Sequence, residues 1–184
     1  MQETRQGSVT LVLGGARSGK SRYAQQLAEQ SRHVVFVATA KASDEEMRAK
    51  IERHRKDRPK EWPTVEEPLD LPKVLAEYEL ESEVIVVDCL TIFAANVLEA
   101  EGQDSDAIEH HVEALCEALR TAQCDVVLVS NEVGSGVVPA YPVGCRYRDL
   151  LGEINQKIAR VADDVVLMVA GLPLPLKGHV EVTP

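Results

Sequence analysis

Aromatic residues are scarce in this chain, 4% of 184 residues, so its core has to be built from aliphatic side chains. Cys89, Cys116, Cys124 and Cys145 form no C-x-x-C pair, which argues against a zinc site or disulfide frame and for reduced thiols. No apolar run approaches the ~20 residues that a membrane span needs. The stretch Met1 to Ser8 is polar and has no hydrophobic signal core, so a cytoplasmic protein without a membrane span is expected. Positive charge is also in deficit. Twenty Lys and Arg face 30 Asp and Glu, giving a net charge of −10, which argues against a general nucleic-acid or membrane-surface partner. There is no internal repeat and no long low-complexity tract.

What is present suits one globular domain over 1–184. Apolar residues make up 45%, and the length buries a core without disulfides. Short apolar runs at Ser8–Leu13, His33–Ala38, Glu83–Asp88, Asp125–Ser130 and Asp164–Ala170 read as strands buried on both faces. Between them, helices are expected over Lys20–Gln30, Asp44–Asp57, Leu71–Leu80, Leu90–Ala100, Asp104–Gln123 and Arg148–Val161. This alternation predicts an α/β domain, a mostly parallel sheet with helices on both faces in three layers. Ligands of such sheets bind beyond the carboxyl ends of the strands. A short antiparallel edge strand is expected at Gly178–Val182 in the proline-rich tail.

The stretch Gly14, Gly15, Ala16, Arg17, Ser18, Gly19, Lys20 and Ser21 matches G-x-x-x-x-G-K-[ST] at every fixed position, between an apolar strand and a helix. Its glycines let backbone N–H groups wrap a phosphate chain, and the helix start adds unpaired N–H groups. Lys20 is placed to carry charge to the β- and γ-phosphates, and Ser21 to ligate Mg²⁺. A second element, Val84 to Asp88, is an apolar strand ending in an acid. In the company of the loop, Asp88 is expected to hold Mg²⁺ directly or through water. Thr91 just beyond is read as a helix cap.

Ser43 to Pro59 is the unusual stretch. Ser43 and Glu46 make a capping box, and Pro59 ends the helix. Met47, Ile51 and His54 share one face, and Arg53, Arg55, Lys56 and Arg58 crowd His54 in an otherwise acidic chain. Two readings stay open at this level. One is a solvated basic face with an incidental histidine at a helix end. The other is a second phosphate site whose positive field keeps His54 neutral and able to attack phosphorus.

The order and spacing of several pieces resemble one family. They are G-G-A-R-S-G-K-S at Gly14–Ser21, V-A-T-A at Val37–Ala40, the D-E-E-M…I-E-R-H-R helix, R-P-x-x-W at Arg58–Trp62, and N-E-V-G-x-G-V-V-P at Asn131–Pro139. The family is the bifunctional adenosylcobinamide kinase/adenosylcobinamide-phosphate guanylyltransferase of cobalamin biosynthesis, and the resemblance runs from Val9 to about Gly171. It implies a RecA-like P-loop domain assembled as a homotrimer. It implies phosphorylation of the adenosylcobinamide hydroxyl by ATP or GTP, then GMP transfer from GTP through a GMP–histidine intermediate on His54. It carries nucleotide contacts onto Gly14–Ser21, onto Ala38, Thr39 and Ala40, onto Arg55, Lys56, Asp57 and Arg58, and onto Glu66 and Asp88. Asp88 stands where a relative has Glu, a shorter reach that would shift the metal or interpose a water.

Three groups stay outside the expected site. Asn131 and Glu132 follow a strand and divide evenly between a turn and a ligand contact. Tyr141 to Arg148, with Arg146 and Arg148, is read mainly as solvated residues before the last helix. His110 and His111 lie in an acidic helix and read as surface residues. The rival functions are a plain P-loop small-molecule kinase or NTPase without a covalent histidine, and a non-enzymatic nucleotide-binding switch.

Overall fold

Nearly continuous Val, Ile and Leu runs form a seven-stranded sheet in a computed structural model that describes residues 7–41, 59 and 61–179. In chain order the described elements are β1 (Val9–Gly14), α1 (Lys20–Ala28), β2 (Val34–Ala38), β3 (Thr64–Glu66), α2 (Leu71–Tyr78), β4 (Val84–Asp88), α3 (Leu90–Glu101), α4 (Ser105–Thr121), β5 (Asp125–Asn131), α5 (Pro142–Val161), β6 (Asp164–Val169) and β7 (Leu172–Lys177). The sheet order is β3-β2-β4-β5-β1-β6-β7. All neighbours are parallel except β6 and β7. This is the three-layer α/β arrangement expected from the alternation of patterns.

Strand alternation sorts the side chains into two cores. Leu11, Val37, Val87 and Leu128 join Leu75, Phe93, Leu115 and Ile154 of α2 to α5 on one face. Val12, Phe36, Val86, Val129 and Met168 join Tyr23, Ala24 and Ala28 of α1 on the other. Helix α4 starts as the sequence suggests, with Asp104 as N-cap accepting from the Asp106 and Ala107 amides at 3.1 and 3.0 Å. Such caps satisfy N–H groups that the first turn leaves unpaired.

The structure corrects three expectations and adds one strand that the sequence did not show. The antiparallel edge strand is Leu172–Lys177, while Gly178 and His179 lie outside it and 180–182 lie outside the described residues. Its Pro173 and Pro175 hide the strand pattern, yet prolines are tolerated on an edge. Strand β3 is only three residues long and too short for a periodic signal. Helix α5 begins at Pro142, not at Arg148, with Pro at its first position, where its missing N–H has no cost. Thr91 does not cap α3, whose N-cap is Cys89; the Thr91 hydroxyl accepts from the Asn131 amide instead. The helix expected over Asp44–Asp57 falls outside the described residues. All four cysteines are free, in line with the reduced thiols expected.

Candidate active site

The glycine loop grows from the carboxyl end of β1. Its turn needs left-handed backbone at two positions, Arg17 (φ 56°) and Gly19 (φ 97°). Glycine reaches that region freely, whereas for Arg17 it carries strain. Gly19 is also the N-cap of α1 and supplies no side-chain cap, so the first N–H groups of α1 have no side chain over them at that position.

Neighbouring strands strap the loop in place. The Glu132 amide donates to the Gly14 carbonyl at 3.1 Å, and the Gly171 amide donates to the Ser18 carbonyl at 3.0 Å. Lys20 Nζ donates to the Gly15 carbonyl at 3.0 Å, holding the ammonium over the loop. Gly15, Ala16 and Arg17 are exposed, and Gly19, Lys20 and Ser21 are half-buried. Ser18 is buried and its Oγ has no hydrogen-bond partner.

Register then gathers the other candidates. Ala38 pairs with Asp88 on one side and with Glu66 on the other. The three Cα atoms therefore lie in one row across β4, β2 and β3, each strand about 4.8 Å from the next. Asp88 follows Val84 and Val86 in alternation, which places it on the α1 face, the face of Ser21. Strand β5 alone separates β4 from β1, and Gly14 stands two residues further along than the Asp88 row. Asp88 and Ser21 are both hard oxygen donors on the side from which the loop rises. That donor set fits Mg²⁺, which takes one or two protein oxygens together with phosphates and water.

Thr39 has a different place from Ala38 and Glu66. It is fully buried. Its hydroxyl donates to the Cys89 carbonyl at 2.8 Å and accepts from the Cys89 amide at 2.9 Å. Its carbonyl accepts from Asn96 Nδ2 at 2.9 Å, and Asn96 also donates to the Pro68 carbonyl at 3.0 Å. Thr39 thus fixes the strand ends that carry Ala38 and Asp88. Ala40 is half-buried and Glu66 exposed. His54, Arg55, Lys56, Asp57 and Arg58 lie outside the described residues, so the structure brings them neither to the loop nor away from it.

Asp88 also shapes its neighbour. Burial, then the adjacent carboxylate, pushes the Cys89 thiol up to about 11. Tyr147, whose hydroxyl donates to the Thr91 carbonyl at 3.2 Å, is pushed to about 12, first by burial and then by Cys89. Neither group is poised to ionise near neutrality, and neither is a proton carrier for the site.

Sequence reasoning left out a polar network under the loop. Thr91 Oγ1 accepts from the Asn131 amide at 3.0 Å, Asn155 Nδ2 donates to the Asn131 carbonyl at 3.0 Å, and Ser130 Oγ donates to Asn155 Oδ1 at 2.6 Å. The available signal was the change from Val126–Val129 to Ser130 and Asn131, polar residues closing an apolar strand. A separate cleft of about 580 Å³, lined by Leu98, Val112, Arg146 and Lys157 among others, lies between α3, α4 and α5 and contains none of these residues. His111 pairs with Glu101 at 3.0 Å, as suits a surface helix.

Known proteins resemble this chain over most of its length. Residues 10–176 match the family model described as cobinamide kinase / cobinamide phosphate guanyltransferase. The chain is 45% identical over 170 residues to the bifunctional adenosylcobalamin biosynthesis protein CobP of Pseudomonas aeruginosa, covering 92% of this chain and 97% of that one. It is 38% identical over 178 residues to the bifunctional adenosylcobalamin biosynthesis protein CobU of Escherichia coli, covering 91% and 98%. Among solved structures, a Pyrococcus horikoshii OT3 protein superposes with a TM-score of 0.58 at 9% identity, over 96% of this chain and 89% of that one. An ATPase of a bacterial type III secretion system superposes with a TM-score of 0.58 at 10% identity, over 88% and 51%. These two likenesses support the three-layer α/β fold and nothing beyond the fold.

Proposed function

Because this chain belongs to the cobinamide kinase / cobinamide phosphate guanyltransferase family, we propose that its phosphate loop anchors both of that family's reactions and that His54 joins them. The chain is a bifunctional transferase of adenosylcobalamin biosynthesis. It phosphorylates adenosylcobinamide with ATP or GTP, then moves GMP from GTP to adenosylcobinamide phosphate, giving adenosylcobinamide-GDP and pyrophosphate. One observation carries the reading: the strapped loop at Gly14–Ser21 opens on the same sheet face as Asp88.

In the first reaction the loop N–H groups, the start of α1 and Lys20 hold the phosphates and offset charge on the transferring phosphoryl group. Ser21 and Asp88 would hold Mg²⁺, which supplies further neutralisation of phosphate charge when bound. In the second, the neutral imidazole of His54 attacks the α-phosphorus of GTP. A P–N bond forms as the α–β bridging P–O bond breaks, and pyrophosphate leaves against Lys20 and the basic residues Arg55, Lys56 and Arg58. The phosphoramidate keeps the activation of GTP until the phosphate of adenosylcobinamide phosphate displaces the histidine. Ala38, Thr39, Ala40, Asp57 and Glu66 complete the nucleotide pocket, Thr39 by fixing the strand ends.

The same reading makes the chain a single cytoplasmic domain working as a homotrimer. Exposed Leu172 and Leu174 share one side of edge strand β7, and exposed Leu176 follows at a break in its register, an apolar edge suited to burial in an assembly. Among the described residues no helix is long and apolar enough to cross a membrane.

Steady-state turnover tests the function. Protein with GTP, Mg²⁺ and adenosylcobinamide should yield adenosylcobinamide-GDP and pyrophosphate, with adenosylcobinamide phosphate as a transient. GTP cleavage to GDP and phosphate that ignores the corrinoid would favour the plain NTPase instead.

A further inference from the structure

Asn131 closes β5, the strand between the loop strand and the acid strand. We propose that its side-chain amide orients the acceptor hydroxyl that receives the terminal phosphoryl group, a role that rests on the kinase reaction above.

Placement comes first. Asn131 is the register partner of Gly14. On its other side Asp88 pairs with Val129, two residues earlier. Val127 and Val129 belong to the core under α1, so by alternation Asn131 faces the side of the loop and Asp88.

Its backbone is pinned and its side chain is not. Thr91 of α3 and Asn155 of α5 take its amide and carbonyl, each at 3.0 Å. Its Oδ1 is buried with no hydrogen-bond partner. A buried unpaired oxygen costs about 1–3 kcal/mol, which another Val at this position would avoid, so packing does not account for the amide. The residue as a whole is half-buried. A half-turn about its last torsion, which is soft, exchanges oxygen and nitrogen between the buried and open sides.

The neighbouring side chain is already committed. Glu132 Oε1 accepts from the Gly134 and Ser135 amides at 2.7 and 3.1 Å, closing its own turn. Asn131 is left to meet the ligand. An amide is no base, but its oxygen accepts a hydrogen bond and thereby aims the hydroxyl lone pair. The hydroxyl oxygen forms its new P–O bond as the β–γ bridging P–O bond breaks. The electron pair leaves with the nucleoside diphosphate, the hydroxyl proton passes to solvent, and Asn131 takes no proton.

The second reaction has a different nucleophile, a phosphate with no proton to offer to an amide oxygen, so the two activities separate the roles. Asn131→Ala and Asn131→Asp are assayed for phosphorylation of adenosylcobinamide and, separately, for GMP transfer to preformed adenosylcobinamide phosphate, alongside GTP binding and thermal melting. Asn131→Ala should lower the ratio of kinase kcat to transfer kcat by about tenfold or more, with GTP affinity held within about twofold. Asn131→Asp, which keeps an acceptor oxygen, should recover most of the ratio. Equal losses in both reactions, a loss confined to GTP affinity, or no recovery in an equally stable Asp variant would each overturn the role. A wild-type protein without kinase turnover sinks the functional reading and this inference together. Wild-type turnover with an unchanged ratio in Asn131→Ala sinks the inference alone.

Discussion

The Thr39 hydroxyl bonds both backbone polar groups of Cys89, donating to its carbonyl at 2.8 Å and accepting from its amide at 2.9 Å. It joins the end of β2 to the end of β4 one residue beyond Asp88. Thr39→Val keeps the shape and removes both bonds; the Cys89 carbonyl still accepts from the Phe93 amide at 3.2 Å, so the part-buried Cys89 N–H alone is left unpaired. Urea unfolding should show a loss of about 1–3 kcal/mol. Because the strand end that carries Asp88 loses this tie, kcat should fall more than nucleotide affinity.

Gly14 and Gly15 are adjacent and differ in what they tolerate. A Cβ on Gly14 would collide with Ser18 Oγ and stand 2.9 Å from the Met168 carbonyl, whereas one on Gly15 meets nothing within 4 Å. Gly14→Ala should therefore lower the melting temperature and weaken GTP binding by about tenfold or more, since backbone must shift to relieve the contact. Gly15→Ala should melt close to wild type. Calorimetry and GTP titration on the pair check this, and equal melting temperatures would contradict it.

Two thiols set an alkaline limit. Burial first, then nearby carboxylates, pushes Cys89 and Cys124 up to about 11 from an ordinary 9.0. Between those values the unfolded chain has given up thiol protons that the folded chain retains. Stability is therefore unaffected by these groups below about pH 9 and falls as pH rises from there to about 11. Thermal melts from pH 7 to 11 should show that decline, and Cys124→Ser should flatten it. Alkylation of Cys89 by iodoacetamide at pH 8 should be slow relative to a free thiol.

The apolar edge at β7 predicts a concentration-dependent assembly. Leu174 is 51% and Leu176 56% exposed, so charging them costs the isolated subunit little. Leu174→Glu with Leu176→Glu should convert a trimer to monomers in sedimentation equilibrium with little change in monomer secondary structure. A trimer that survives the pair would place the interface elsewhere.

The sheet was legible because its five inner strands are nearly continuous apolar runs, such as Val84 to Val87. The loop was legible because Gly19, Lys20 and Ser21 occupy fixed positions between a strand and a helix. What escaped has physical reasons. Strand β3 is too short to show a period, and the prolines of β7 mask an edge strand. The Thr91–Asn131–Asn155 network joins residues 24 and 40 positions apart, so no local pattern could reveal it. Thr39 was named by the family resemblance as a nucleotide contact, but its tie to the Cys89 backbone spans 50 positions and leaves no local pattern.

His54 is the proposed covalent link between the two reactions. The most direct measurement is incubation of the protein with [α-³²P]GTP and Mg²⁺, followed by denaturation and gel analysis. It should give a protein-bound label that is acid-labile, is discharged by adenosylcobinamide phosphate, and is absent from His54→Ala. No label under conditions of active GMP transfer, or a label that persists in His54→Ala, would contradict it.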